Sequence, residues 1–447
     1  MKSSRNVMTF YGGIHPHGDG KRLSCFNCIQ TVPLLEKYNV ILAQNAGKPP
    51  IPVVKKGDQV KKYQLIAQAD GFVSANLHAP TSGTVSAIGE IQGTMGVPTM
   101  AIEITSDGED AGTAPFEIIS DWENADPDLL KQRVIDAGLV GMGGASFPTH
   151  VKLSIPPEKP VDTLILNGAE CEPYLTADHR LMLEFPEKVV RGAAMIGRIL
   201  NVSNIVIGVE INKLDAIEAL EKYTGKYGVT VATLRVRYPQ GSEKQLINAI
   251  TGRTVKSGTL PMDAGCVVQN VATCAALDDA VMRGIPLIER VVTVTGQVVA
   301  KPGNFRLKIG TPALEAVRLA GGVTAEPGKL VFGGPMMGFA QRSFKVPTGK
   351  NTSGILLIPQ EQAFNFESSG CIRCGRCVQG CPMSLIPCLL STAIESGRID
   401  LAAENHVMDC MECGSCAYVC PDHRPLVQNV RRAKAELRRQ SNSTKGK

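Results

Sequence analysis

Two cysteine runs near the end of the sequence have the residue type and spacing of iron–sulfur sites. Residues 371–382 read CIRCGRCVQGCP and residues 410–421 read CMECGSCAYVCP. Both follow C-x2-C-x2-C-x3-C-P, the run that binds [4Fe–4S] clusters in two-cluster ferredoxins. Zinc is the alternative, but zinc sites pair two C-x2-C units that lie far apart in the sequence. The spacing therefore predicts two [4Fe–4S] clusters.

The fourth cysteine of each run is predicted to bind the cluster held by the other run. Cluster 1 would have the ligands Cys371, Cys374, Cys377 and Cys420, and cluster 2 the ligands Cys410, Cys413, Cys416 and Cys381. The link between the runs, residues 383–409, has a helical pattern, which favours an α-helical ferredoxin over a compact β-rich one. Cys388 lies in this link, and we expect it to be a packed core thiol rather than a ligand.

A glycine-rich stretch far upstream is the second candidate for chemistry. Residues 138–153 read GLVGMGGASFPTHVKL, which fits neither the G-x-G-x-x-G fingerprint nor a P-loop. The preceding residues, 126–137, have apolar side chains at three-to-four spacing and predict a helix. A helix C-cap explains one or two of the glycines. Backbone N–H groups exposed by the others can bind an anionic phosphate.

The clusters indicate which phosphate this loop binds. A cluster takes one electron at a time, whereas a nicotinamide donates two as a hydride, so a flavin must stand between a nicotinamide and the clusters. Flavin mononucleotide (FMN) carries the required phosphate. If a nicotinamide is the upstream donor, the glycine loop therefore becomes a candidate FMN site.

Four segments in order carry a resemblance to a known family. They are GMGGASFPTHVK (141–152), NGAECEP (167–173), QGSEKQL (240–246) and QNVAT (269–273). Their order resembles the flavin subunit of respiratory complex I over about residues 126–277. The resemblance implies FMN-binding residues Gly141, Gly143, Gly144, Lys152, Asn167, Glu170, Gly241 and Asn270, and nicotinamide-facing residues Phe147, Glu172 and Glu243. The chain departs from the family pattern at Met142, Ser146, Ala169, Cys171, Ser242 and Gln269, which bears more on nicotinamide than on flavin binding.

The N-terminal third is similar to a different kind of module. Residues 53–88 predict short strands, and their GD-x-V and H-A-P-x-x-G-x-V pieces resemble a lipoyl- or biotinyl-type hybrid barrel. No lysine lies between Tyr63 and Pro80 to carry a covalent cofactor, so we expect a structural or docking module. His15 and His17 are expected to pack in a turn. Cys25 and Cys28 are expected to be a reduced pair, with a zinc site that includes one of these histidines as the alternative.

The whole chain resembles the RnfC family, the C subunits of the Rnf electron-transport complex. The resemblance implies a multidomain α/β and α+β fold class, and residues 291–340 look like a β-grasp domain. The predicted domains are an N-terminal segment with a barrel-sandwich hybrid domain (1–112), an FMN/NADH-binding α/β domain (113–287), a soluble-ligand-binding β-grasp domain (288–345), an α-helical two-[4Fe–4S] ferredoxin domain (346–432) and a basic tail (433–447). The resemblance implies a translocase subunit that passes electrons between NAD(H), FMN, the clusters and the other, membrane-embedded and ferredoxin-like, Rnf subunits. It also implies a peripheral location on the cytoplasmic face of the cell membrane.

Composition limits the other functions of the chain. The net charge of +5 is small for 447 residues and aromatic residues are few, which argues against a nucleic-acid partner. We find no secretion signal and no apolar run long enough to span a membrane, and expect a soluble chain without disulfides. Two alternatives remain open: a cobalamin reductase with the same cofactors, and an electron-transfer adaptor that has lost its flavin.

Overall fold

The computed structural model describes residues 6–94, 96–363, 368 and 370–445, without the side chains of residues 442–445. The N-terminal segment runs along the other domains before it enters the barrel. Met8 forms a bridge with Leu234 and Ile14 forms one with Tyr238, both at the edge of the flavin domain. The first strand, β1 (Ile29–Thr31), pairs with a strand of the β-grasp sheet.

The barrel-sandwich hybrid consists of two small antiparallel sheets. Its strands are β2 (Lys37–Ile41), β3 (Ile51–Pro52), β4 (Gln59–Val60), β5 (Leu65–Gln68), β6 (Leu77–His78), β7 (Gly83–Gln92) and β8 (Pro98–Ser106). One sheet has the order β2-β8-β7-β4 and the other β3-β5-β6. Alternating side chains of the long strands, among them Val85, Ile102 and Ile104, are fully buried between the sheets. The short strands predicted for residues 53–88 are confirmed.

The flavin domain is a parallel sheet covered by helices. Its elements are α1 (Pro127–Asp136), α2 (Thr149–Lys152), β9 (Thr163–Asn167), α3 (Ala177–Glu184), α4 (Pro186–Leu200), β10 (Asn204–Glu210), α5 (Leu214–Tyr227), β11 (Val229–Leu234), α6 (Glu243–Thr251), β12 (Cys266–Asn270) and α7 (Val271–Met282). The strand order is β11-β10-β9-β12. The strands are apolar runs because helices bury both faces of the sheet. The chain adds strands on one side of β9 and then crosses to the other, so the sheet has a topological switch point between β9 and β12.

The predicted helix before the glycine loop is confirmed as α1. The Asp126 side chain accepts a hydrogen bond from the Asp128 amide at 2.9 Å, and proline at the first helical position has no N–H to leave unpaired. The helix ends before Gly138, whose φ of +64° is a conformation that glycine adopts without strain. Helix α1 therefore ends directly before the glycine loop, at Gly138.

The β-grasp domain has a six-stranded sheet. Its elements are β13 (Glu289–Thr295), β14 (Gly303–Lys308), α8 (Ala313–Leu319), β15 (Pro327–Phe332), β16 (Phe339–Gln341) and β17 (Gly354–Pro359), and the strand order is β1-β14-β13-β17-β15-β16. The sheet extends beyond the predicted limits of residues 288–345, because β17 lies between β13 and β15 and β1 comes from the N-terminal segment. Through β1 and β17, this sheet thus includes strands from the N-terminal segment and from the region just before the C-terminal domain.

The C-terminal domain is helical, as predicted. Its helices are α9 (Arg376–Gln379), α10 (Pro387–Glu395), α11 (Ile399–Glu404), α12 (Ser415–Tyr418) and α13 (Leu426–Lys445). Leu390, Ile394 and Val430 form its core with neighbouring apolar side chains. Helix α13 continues through most of the predicted basic tail, since Ala433 is buried and Leu437 packs on the same core. In the described part of the chain, we find no helix with the length and apolarity needed to cross a membrane.

Candidate FMN site and iron–sulfur sites

The candidate flavin site begins at the switch point, where ligands of open α/β sheets usually bind. Asn167 ends β9 and Asn270 ends β12, and the two residues are paired in register. Asn167 donates from Nδ2 to the Gly241 carbonyl at 2.8 Å, which places the 240–246 segment beside it. Asn270 accepts the Ala272 amide at 2.8 Å and so caps α7. Three of the four predicted segments therefore meet at one edge of the sheet.

The glycine loop is the fourth segment, and it packs against the same edge. The Gly141 amide donates to the Phe147 carbonyl at 2.9 Å and closes the loop on itself. The Met142 amide donates to Thr273 Oγ1 at 3.0 Å. A Cβ atom on Gly143 would lie 3.0 Å from Asn270 Nδ2. The loop can therefore approach the switch point closely only because this position lacks a side chain.

Buried polar groups around this loop fit a polar ligand such as FMN. Ser146 Oγ and the side-chain amides of Gln240 and Gln269 are buried and have no hydrogen-bond partner among the described residues. Ser146 lies in the glycine loop, and the two glutamines immediately precede Gly241 and Asn270. Buried polar atoms are nearly always hydrogen-bonded in folded proteins. A ligand with phosphate, hydroxyl and ring acceptors would satisfy them.

Two further residues predicted to contact ligands form an ion pair with each other. Lys152, on α2, lies 2.6 Å from the Glu243 carboxylate at the start of α6 and also donates to the Val268 carbonyl. Both side chains remain partly exposed, and Phe147 lies nearby in sequence with 38% of its surface exposed. These three side chains therefore remain accessible to a nucleotide from solvent, as do the exposed Gly143 and Gly144 of the loop.

The two acidic residues of the 167–173 turn contact protein amides. Glu170 accepts hydrogen bonds from the amides of Asp178 and His179 at 2.8 and 3.1 Å, at the start of α3. Glu172 accepts from the amides of Met336 and Met337 at 2.7 and 3.0 Å, in the β-grasp domain. Burial raises the pKa of Glu172 above its ordinary value. In this structure both carboxylates therefore hold the turn in place.

The sequence analysis missed Lys21, which binds the backbone of the turn that contains Glu170 and Glu172. Its buried ammonium donates to the carbonyls of Glu170, Glu172 and Leu175 at 2.8, 2.9 and 2.6 Å. Burial lowers the pKa of Lys21 below its ordinary value. Nothing in the sequence signals the contact, because Lys21 lies some 150 residues upstream of the turn.

Asp178 and Arg290 were also missed; Asp178 is half-buried and Arg290 is buried, and both lie against residues of the glycine loop and its neighbour Asn270. Asp178 accepts from Asn270 Nδ2 at 2.8 Å, and burial raises the pKa of this carboxyl to about 6. Arg290 donates to the Met142 carbonyl at 3.1 Å, and burial lowers its pKa to about 10. The complex I pattern has an arginine at the position of Met142. In this chain, Arg290 places a cation next to the backbone of that position.

The eight motif cysteines form two groups. Cys371, Cys374, Cys377 and Cys420 line one pocket. Cys381 lies near Cys410, Cys413 and Cys416, and the four thiols influence one another electrostatically. These groups contain the same residues as the predicted crossed ligand sets, and the first group lines one cavity, as the ligands of a [4Fe–4S] cluster would. Burial raises the pKa of Cys377 and Cys410 to about 11, so cluster binding must displace protons.

Cys388 does not occupy the core position that we predicted. It lines the cluster 1 pocket and contacts Cys377. The prediction was wrong because the buried face of α10 is formed by Leu390 and Ile394, while Leu389 is 37% exposed. In the N-terminal segment, Cys28 Sγ accepts a hydrogen bond from Arg180 Nη2 at 3.2 Å.

Comparison with known proteins gives matches across the chain. Family models match in four regions: an RnfC barrel sandwich hybrid domain at residues 8–109, a Nuo51 FMN-binding domain at 134–279, an SLBB domain at 291–340 and a 4Fe-4S dicluster domain at 363–421. The C subunit of the proton-translocating ferredoxin:NAD(+) oxidoreductase complex of Clostridium ljungdahlii is 47% identical over 99% of this chain and 96% of its own length. The chain belongs to the RnfC family.

Two further RnfC relatives have similar coverage. The C subunit of the Na(+)-translocating ferredoxin:NAD(+) oxidoreductase complex of Acetobacterium woodii is 44% identical over 96% of this chain and 97% of its own length. The C subunit of the ion-translocating oxidoreductase complex of Rhodobacter capsulatus is 44% identical over 95% of this chain and 82% of its own length.

Membership of the RnfC family confirms the predicted resemblance and the multidomain fold class. The FMN-domain match confirms the predicted flavin cofactor, and the dicluster match confirms the two [4Fe–4S] clusters. The flavin-free adaptor is thereby disfavoured. The cobalamin reductase is disfavoured as well, because the matches to RnfC proteins include the N-terminal barrel.

Proposed function

We propose that this RnfC chain is the NADH-handling subunit of an ion-translocating ferredoxin:NAD+ oxidoreductase complex. Bound FMN would exchange a hydride with the nicotinamide, and the clusters would carry its electrons singly. The names of the relatives support this role. We further propose that the chain lies peripherally on the cytoplasmic face of the membrane and delivers electrons to membrane-embedded and ferredoxin-like subunits.

The proposed FMN-binding residues surround the switch point. Gly141, Gly143, Gly144, Asn167, Gly241 and Asn270 would contact the cofactor, and Lys152 would supply positive charge to it. The Glu170 carboxylate would support the site by holding the start of α3 rather than by contacting FMN. Phe147 and Glu243 would then contact the nicotinamide nucleotide, whereas the contacts of Glu172 with Met336 and Met337 favour a different role for that residue.

We propose that Glu172 helps to hold the cluster 2 site against the flavin domain. The contacts between these two parts of the chain are the main observation behind the proposed function. The buried Tyr238 hydroxyl donates to the carbonyl of Cys413, a proposed cluster 2 ligand, at 2.7 Å. A Cβ on Gly414 would lie 2.8 Å from the Met336 carbonyl, in the loop that Glu172 holds. The cluster 2 cysteines are therefore held against the flavin domain. We propose that cluster 2 is the cluster next to FMN.

Two of the cluster 1 cysteines lie on an open surface. Cys371 and Cys374 are exposed, and Ile372 between them has 65% of its surface exposed. Arg373 and Arg376 accompany them in the same run. An apolar side chain beside exposed thiol positions, with two cations around it, suits a weakly acidic electron-transfer partner. We propose that cluster 1 faces the next subunit of the complex.

An anaerobic NADH titration of two variants tests this order. Cys413→Ala should lose cluster 2, and NADH should then bleach the flavin while the cluster 1 EPR signal stays absent. Cys374→Ala should lose cluster 1, and cluster 2 should still be reduced. Reduction of cluster 1 in Cys413→Ala at the wild-type rate would contradict the order. A bound flavin that NADH leaves oxidised in the wild-type chain would contradict the NADH-handling role itself.

A further inference from the structure

Arg424 is a buried arginine with an unused donor. It follows the second cysteine run and is only 5% exposed. Its Nη2 donates to the Glu395 carboxylate, which is 42% exposed. Its Nη1 is buried and has no hydrogen-bond partner among the described residues. Leaving a buried donor unpaired destabilises a folded protein, and more so when the group is charged.

The unused donor lies at the cluster 1 site. Arg424 lines the same pocket as Cys371, Cys374, Cys377 and Cys420, within four residues of Cys420 in the sequence. Its side-chain partner Glu395 does not line this pocket, and Glu395 also accepts hydrogen bonds from Ser391 and Asn429. A [4Fe–4S] cluster with four thiolate ligands carries a negative charge and offers sulfur acceptors. It is the kind of group that would satisfy a buried guanidinium N–H.

We infer that Arg424 donates a hydrogen bond from Nη1 to a sulfur of cluster 1 and stabilises the reduced form of that cluster. Reduction adds one electron to an already anionic group, so a fixed cation and a hydrogen bond to sulfur raise the reduction potential. This inference rests on the proposed ligand set of cluster 1. It assigns Arg424 a direct contact with the cofactor, beyond the cysteine ligands.

The cluster 2 site differs in this respect. Its nearest buried cation is Lys434, which donates to the Cys410 carbonyl and lies 2.9 Å from a Glu412 oxygen. The second Glu412 oxygen accepts from Arg431 at 2.9 Å. The Lys434 ammonium thus has protein acceptors, whereas Nη1 of Arg424 has none among the described residues. A change at Arg424 should therefore affect the two clusters unequally.

The test is an EPR-monitored redox titration of the full-length, cluster-loaded protein. Cys413→Ala and Cys374→Ala identify the two cluster signals, and absence of two separable clusters would overturn the ligand assignment rather than the role of Arg424. Arg424→Gln should lower the reduced-to-oxidised ratio of cluster 1 at a fixed potential about tenfold, equal to about 59 mV for one electron. Cluster 2 should not shift. An unchanged cluster 1 potential, or equal shifts of both clusters, would overturn the inference.

Two more variants separate an electrostatic role from a structural one. Glu395→Gln removes the carboxylate that offsets the Arg424 charge, so it should shift cluster 1 in the opposite direction, to a higher potential. Arg398→Gln removes an exposed arginine of the same domain, paired with Asp400 at 2.8 Å, and should shift neither cluster. If Arg424→Gln fails to retain cluster 1, Glu395→Gln carries the test. A raised cluster 1 potential in that variant supports the inference, and an unchanged or lowered one overturns it.

Discussion

Gly143→Ala tests the glycine loop most directly. The new Cβ would lie 3.0 Å from Asn270 Nδ2 and 3.3 Å from its Cγ, which is closer than ordinary packing allows. Asn270 would have to move by a few tenths of an ångström. Two hydrogen bonds resist that movement, one from the Ala272 amide and one to the Asp178 carboxylate, each at 2.8 Å. The substitution therefore strains the residue that joins the loop to the switch point.

The expected loss follows from those two hydrogen bonds. Weakening a bond to a carboxylate costs about 1.5–3 kcal/mol, and weakening a neutral one costs about 1 kcal/mol. If half of this sum is lost, FMN binding weakens by about 1–2 kcal/mol, or roughly five- to thirtyfold. Gly144→Ala is the matched comparison. Its Cβ would meet no atom within 4 Å, but its φ of +77° would cost about 1 kcal/mol of backbone strain.

The dissociation constants of the two variants for FMN can be measured by FMN fluorescence when the flavin-free proteins are reconstituted. Iron content shows whether the clusters remain.

The double variant Gly143→Ala/Asn270→Ala tests whether the loss of FMN affinity acts through Asn270. If it does, Gly143→Ala should weaken FMN binding little when Asn270 is already alanine. Full additivity of the two substitutions, or wild-type FMN affinity in Gly143→Ala, would refute the reasoning.

Three other predictions concern the residues around the site. Lys21→Met should lower the free energy of unfolding by about 3 kcal/mol or more, because it leaves three buried carbonyls without a donor; chemical denaturation should show little change for the exposed neighbour variant Arg22→Met. The Asp178 pKa is raised from 3.8 to about 6, so the stability it contributes is present below about pH 4 and is lost as pH rises through about 6. Asp178→Asn should flatten that fall, as measured by urea unfolding of FMN-free protein at several pH values. Glu243→Gln should raise KM for NADH about tenfold with FMN retained, whereas Glu172→Gln should leave KM unchanged and slow cluster reduction; equal effects on KM would contradict the separate roles.

The sequence predicted those features that depend on residues close together in the chain. The spacing of each cysteine run predicted two clusters, which the dicluster-domain match confirms, and the crossed ligand sets stay a prediction. The three-to-four spacing of apolar residues in 126–137 predicted the helix α1, and this needs only local periodicity. The order of the four segments carried the resemblance to the FMN domain, which the family match confirms.

The features that escaped prediction are long-range contacts of charged residues. Lys21 and Arg290 approach the site from outside the flavin domain, from the N-terminal segment and from β13. Arg424 looks like an ordinary surface arginine in the sequence, but in the fold it is buried beside Glu395 at the end of α10. Strand β1 has three residues and pairs with β14 across some 270 positions, which no local pattern signals.

The N-terminal segment explains how the acidic turn keeps its shape despite its departures from the complex I pattern. Glu170 and Tyr174 have φ values of +43° and +69°, a left-handed conformation that costs non-glycine residues about 1 kcal/mol or more each. Lys21 offsets that cost, because its ammonium holds three carbonyls of the turn at once. The turn in turn positions Glu172 against the β-grasp loop, on which the cluster 2 cysteines rest. By holding this turn, Lys21 therefore helps to position the proposed flavin site relative to the proposed cluster 2 site. The N-terminal segment thus contributes to the arrangement of the cofactor sites.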